Sequence, residues 1–218
     1  MLWQGIIFDL DGTLLNTLHD LGSSVNAVLH RHGFPEHEIS DYRYFIGKGF
    51  ATLIARALPE TARSEQNINQ CLAEFQEEYE RNWRKSSFPY DGIPEMLKDL
   101  EKLELKIGIL SNKQHEFTEK FVQEFLPDHH FAAVFGRRDQ IPPKPDPAAA
   151  LEIARIFSLT PAEILFVGDS AVDMQTAVAA GMYPAGVSWG YRSPEELMDS
   201  GCRKLIQHPS ELLCLFNL

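Results

Sequence analysis

Along the chain, short apolar runs rich in Ile, Val and Phe alternate with stretches in which apolar residues recur every three or four positions. The runs are GIIFDL near the start, LKIGILS up to Ser111, FAAVFG around Val134, EILFVGD up to Asp169 and PAGVSW around Val187, each bounded by Gly, Asp, Asn or Ser. Runs this short, with no polar alternation, read as strands buried on both faces. Between them, helical spacing covers Ile93 to Leu103, Glu116 to Phe125, Pro147 to Phe157 and Val172 to Ala180. Such alternation predicts an α/β fold, a Rossmann-like parallel sheet with helices on both faces.

One interval breaks the rhythm. From Thr17 to Ser87 only helical periodicity appears, as in Leu18-Leu21-Val25-Val28-Leu29 and Leu72-Phe75-Tyr79-Trp83, with Pro35, Gly47 and Pro59 as punctuation. The pattern predicts a helical insert over 17–87, placed directly after the first strand and joined to an α/β core of 1–16 and 88–218. The sheet is expected to resume near PYDGIPEML. No internal repeat is visible, which argues against a solenoid.

Composition narrows the partners. The 218 residues carry 31 acidic and 20 basic side chains, a formal net charge of −11, which argues against nucleic acid or an anionic membrane surface. An anionic substrate is still permitted, because a few local cations and a bound metal can dominate a pocket. Cys71, Cys202 and Cys214 are widely spaced, so neither a zinc site nor a disulfide framework is expected. The start of the chain lacks a signal-peptide pattern, and no stretch approaches the ~18 apolar residues of a membrane span. The expected location is the cytoplasm.

Reactive side chains fall at the ends of the predicted strands. In FDLDGT, Asp9 and Asp11 are two apart on extended backbone and therefore point the same way, where two hard oxygen ligands suit Mg²⁺. Gly12 and Thr13 permit a turn and offer an N–H and a hydroxyl to an anion. A calcium loop and a plain Asp-Gly turn compete with this reading; the calcium loop wants its glycine two positions later. In GDSAVD, Asp169 and Asp173 flank a helix start, where an N-cap is the alternative role. An esterase built on Ser170 would need a histidine and a supporting acid, and the late His208 has Leu205, not an acid, three positions before it. Lys144, stiffened by its neighbouring prolines in PPKPDP, could neutralise a phosphoryl oxygen. Ser111 and Asn112 in ILSNK are either a turn or donors to an oxyanion. Ligands of an open parallel sheet bind at the carboxyl ends of its strands, which is where these segments converge.

Together, these motifs resemble those of the haloacid-dehalogenase-like hydrolases, and among them phosphatases similar to phosphoglycolate phosphatase. The resemblance spans the chain: DLDGT with Asp9, Asp11 and Thr13; Ser111 with Asn112; Lys144 in KPDP; Asp169 and Asp173 in GDSAVD; and GVSWGYRSPEEL near the end. It implies that the insert is a small α-helical cap domain which sets substrate choice. It further implies that Asp9 is the nucleophile, forming an aspartyl-phosphate, and that Asp11 is the acid and then the base. Mg²⁺ would be held by Asp9, the backbone carbonyl of Asp11 and Asp169, with Asp173 as a ligand through water or a support behind the ligands, while Ser111, Lys144 and the N–H groups after Asp9 and Ser111 would hold phosphoryl oxygens. A carboxylate at Asp11 favours phosphate-ester hydrolysis over dehalogenation. Asn16 departs from the family pattern, where Asp is common. In YRYFIGKGFATL, Arg43 and Lys48 could meet a second anionic group of the substrate, or be solvated surface charges. The expected activity is Mg²⁺-dependent hydrolysis of a small phosphorylated metabolite, 2-phosphoglycolate first. Sugar phosphates, nucleotides or pyrophosphate, a phosphoglucomutase-like transfer, and a non-catalytic metabolite-binding role are the alternatives.

Overall fold

In the computed structural model, which describes residues 3–216, the chain divides into two compact units, Met1–Leu15 with Pro89–Leu218, and Asn16–Phe88. Strand β1 (Gly5–Phe8) opens the first unit. A two-residue strand β2 (Leu15–Asn16) leads into α1 (Leu18–Arg31), a 3₁₀ turn over Ile39–Tyr44, α2 (Phe50–Ala57) and α3 (Glu65–Asn82). A second two-residue strand, β3 (Phe88–Pro89), pairs with β2 where the chain returns. Then follow α4 (Ile93–Glu101), β4 (Lys106–Gln114), α5 (His115–Phe125), β5 (Ala133–Arg137), α6 (Ala148–Phe157), β6 (Ile164–Gly168), α7 (Ala171–Ala180), β7 (Tyr183–Val187), α8 (Pro194–Asp199), β8 (Lys204–Ile206) and α9 (Glu211–Cys214).

The main sheet has six parallel strands in the order β5-β4-β1-β6-β7-β8. Successive residues of β1 and β6 are all buried, and successive side chains on a strand point to opposite faces, so both faces of the sheet are covered. On one face Ile7, Leu110 and Phe166 pack with Ala150 and Ile153 of α6 and Ala177 of α7. The helical unit has its own core, in which Phe50, Phe75 and Tyr79 interlock as rings 5.0–5.7 Å apart. Its first helix carries Asp20, a buried carboxylate that accepts from the N–H groups of Ser86 and Ser87 and from the Ser87 hydroxyl.

Three elements depart from the sequence reading. PYDGIPEML contributes only Pro89 to a two-residue strand and otherwise forms a turn and α4, because Gly92 takes a left-handed φ of 84° and Pro94 sits in the helix's first turn. Strand β4 runs past Ser111 to Gln114, with an irregular register between Leu110 and Gln114. Strand β8 adds a sixth position that its single buried residue, Ile206, could not announce by periodicity.

Candidate active site

Register sets the site. Phe8 of β1 is level with Ile109 of β4 on one side and Val167 of β6 on the other. The residues just beyond, Asp9, Ser111 and Asp169, therefore emerge at one rim of the sheet, and the Asp9 N–H is still tied to the Val167 carbonyl at 2.9 Å. Gly12 turns the chain with φ +89°, and a Cβ there would lie 2.3 Å from Asp169 Oδ2. Only glycine permits both the conformation and the approach.

Asp9, Asp169 and Asp173 are buried, and each offers a carboxylate oxygen within 4.8 Å of the other two. Lys144 Nζ lies 2.6 Å from Asp173 Oδ1 and 2.9 Å from Asp9 Oδ1. The first contact is a hydrogen bond; the second is an ion pair off hydrogen-bond geometry, which leaves the buried Asp9 Oδ1 without a donor. Burial first, and Asp173 next, push the Asp9 carboxyl up to about 7. Burial and the charges of Asp173 and Asp9 likewise hold Asp169 well above the carboxylate range. Burial alone would lower Lys144, but Asp173 and Asp9 outweigh it and hold the ammonium above its ordinary value. One ammonium among three carboxylates leaves room for a divalent cation, and the orphaned Asp9 oxygen supplies a hard donor for one.

Asp169 is fixed from two sides: Oδ1 accepts from the Thr13 hydroxyl at 3.3 Å and Oδ2 from the Tyr191 N–H at 2.7 Å. Asp173 is doubly engaged, since its Oδ2 accepts from the Ser170 N–H and, at 2.6 Å, from the Ser170 hydroxyl. Asp173 therefore caps α7 as well as pairing with Lys144, and the Ser170 hydroxyl is spent on that cap.

Asn112 joins the site through the backbone of Lys144. Its carboxamide donates to the Lys144 carbonyl at 3.0 Å and accepts from the Lys144 N–H at 2.9 Å, so it clamps the backbone that carries the ammonium. Ser111 is buried at the same rim, its hydroxyl accepting from the Lys113 N–H at 3.2 Å. Arg43 and Lys48 are exposed residues of the helical unit, and the Arg43 guanidinium donates to the Ser40 carbonyl at 3.1 Å.

Two features escaped the sequence reading. Lys113, next to the motif residues in ILSNK, places its buried Nζ 3.0 and 3.2 Å from the two Asp11 oxygens. Beyond β7, the Trp189 indole donates to the Thr13 carbonyl at 2.9 Å, and a Cβ on Gly190 would stand 2.2 Å from Asp169 Cβ. The WGY stretch, which in the sequence only added to the resemblance, thus braces the segments that carry Thr13 and Asp169.

Residues 6–187 match the family described as haloacid dehalogenase-like hydrolase. The chain belongs to the haloacid dehalogenase-like hydrolases. Phosphoglycolate phosphatase 1 of Pseudomonas aeruginosa is 30% identical over 212 residues, covering 95% of this chain and 78% of its own. N-acetylmuramic acid 6-phosphate phosphatase of the same organism is 30% identical over 224 residues, covering 98% of this chain and 94% of its own. The crystal structure of a predicted phosphoglycolate phosphatase from Haemophilus somnus 129pt superposes with a TM-score of 0.91 at 27% identity, covering 99% of each chain. Among haloacid dehalogenase-like hydrolases, this one is a phosphoric monoester hydrolase. No helix among its described residues is long and apolar enough to cross a membrane.

Proposed function

We propose that this hydrolase is a cytoplasmic, Mg²⁺-dependent phosphatase whose substrate is 2-phosphoglycolate and whose intermediate is an aspartyl-phosphate on Asp9. The observation that carries the reading is the arrangement of Asp9 among Asp169, Asp173 and Lys144 while Asp11, two residues on, has a cation of its own. Asp9, the Asp11 carbonyl and Asp169 would hold Mg²⁺, with Asp173 supporting through Lys144. The bound ion would supply the positive charge that phosphoryl oxygens need.

The steps then fall to the chain's own groups. An Asp9 oxygen attacks phosphorus, and the bond to the leaving oxygen breaks as Asp11 gives that oxygen its proton. Asp11, now a carboxylate, takes a proton from the water that attacks the aspartyl-phosphate, releasing phosphate and restoring Asp9. Lys144, Ser111 and Thr13 line the rim where phosphoryl oxygens would sit. The helical unit is the candidate cap domain, and Arg43 and Lys48 on it are the candidates for a second anionic group of the substrate.

A second reading takes N-acetylmuramic acid 6-phosphate as substrate, favoured by the relative of that name, which matches this chain nearly end to end. The test is phosphate release from phosphoglycolate, N-acetylmuramic acid 6-phosphate, other sugar phosphates, nucleotides, pyrophosphate and an aryl phosphate, with and without Mg²⁺, beside Asp9→Asn. Release that needs Mg²⁺ and Asp9 and is fastest on phosphoglycolate is the expected result. Preference for the sugar acid phosphate would transfer the assignment, and isomerised sugar phosphate in place of free phosphate would point to a mutase.

A further inference from the structure

We propose that Lys113 is a positioning residue for Asp11, holding its carboxylate in place as the base for the second half of the reaction; the proposal rests on the assignment of Asp11 above. Lys113 lies in the irregular part of β4, and its side chain is fully buried. Its ammonium is within 3.2 Å of both Asp11 oxygens and 4.3 Å from the centre of the buried Phe121 ring. The Thr118 hydroxyl of α5 donates to the Lys113 and Gln114 carbonyls, at 3.4 and 3.0 Å.

A lysine sealed from water is unfavourable unless a carboxylate or an aromatic face offsets its lost hydration. Here that investment sits beside one of the two reacting aspartates. The two cations divide the work by residue: Lys144 faces Asp9 and Asp173, and Lys113 faces Asp11. With both oxygens on one ammonium, Asp11 has little rotational freedom about its last bond.

In the second step Asp11 must accept a proton from water while the phosphorus–Asp9 oxygen bond breaks, and a carboxylate held at both oxygens keeps one orientation for that transfer. Lys113 would therefore matter most for hydrolysis of the aspartyl-phosphate. Its influence on phosphorylation is weakest when the leaving group needs no proton, as with p-nitrophenol.

The experiment uses radiolabelled p-nitrophenyl phosphate with Mg²⁺ on the full chain, following nitrophenolate release and hydroxylamine-sensitive label on the acid-quenched protein. Lys113→Met and Lys113→Gln, with unchanged circular dichroism, should slow steady-state turnover about tenfold or more while labelled protein accumulates. Lys113→Arg should restore turnover. If Lys113→Met does not fold, Lys113→Gln carries the same expectation, and Lys113→Arg tests the charge alone. Turnover unchanged in the neutral variants, or a slowing with no accumulation of label, would overturn the proposal. Asp11→Asn separates the two layers: label that fails to accumulate in Asp11→Asn removes the assigned role of Asp11 itself. Accumulation in Asp11→Asn but not in the neutral Lys113 variants removes only Lys113.

Discussion

Asp9 and Asp11 stand two residues apart, and their surroundings could hardly differ more. Asp9 is buried among carboxylates with one oxygen lacking a donor, whereas both Asp11 oxygens rest on Lys113. Asp11→Asn should therefore cut turnover by about 10²–10⁴-fold, the usual share of acid–base catalysis, while Mg²⁺ affinity is nearly kept. Asp169→Ala should weaken Mg²⁺ by more, since it removes a carboxylate of the cluster. Calorimetric titration with Mg²⁺ checks the pair, and equal losses would contradict the division. That Asp9, Asp169 and Lys144 meet at one rim was legible in the sequence, because Asp9 and Asp169 each follow an apolar run and Lys144 sits between prolines. The meaning of Lys113 was not visible, because its partner is 102 residues away and a lysine after Asn carries no local signal. Asn112 shows the same limit: its clamp on the backbone of Lys144 joins residues 32 apart and has no local signal.

At the scale of elements, the fully buried strands were the easiest to read. β1 and β6 emerged from unbroken apolar runs, while β2, β3 and β8 are too short for any period to show. The loop after β7 braces the segments that carry Thr13 and Asp169, and Gly190 leaves no space for a side chain, with the Gly12 carbonyl 2.5 Å from a built Cβ. Gly190→Ala should thus displace Asp169 and lower Mg²⁺ affinity more than it disturbs the sheet, as calorimetric titration beside circular dichroism would reveal. In the helical unit, Asp20 satisfies two backbone N–H groups and a hydroxyl at the far end of its segment. Asp20→Ala would leave those buried donors unpaired and should destabilise the unit by about 2–4 kcal/mol, measurable by urea denaturation.

For the whole molecule, a cluster of buried carboxylates is a load that a cation relieves, so binding should appear as stability. At about 100 times its dissociation constant, Mg²⁺ contributes roughly 2.7 kcal/mol, or about 5–10 °C in melting temperature for a chain of this size. Scanning calorimetry should show that gain in the wild type and its loss in Asp169→Ala. The strand order has a different consequence, one of timing. β1 is made first, yet its neighbours are Lys106–Ile109 and Ile164–Val167, which leave the ribosome about one hundred and one hundred and sixty residues later. The helical unit, held by nearer contacts, can be complete while Ile6, Ile7 and Phe8 still lack partners. The segment that becomes the centre of the sheet is thus the one that waits longest as a sticky, unpaired strand. Synthesis speed and chaperone supply should govern the yield of active protein.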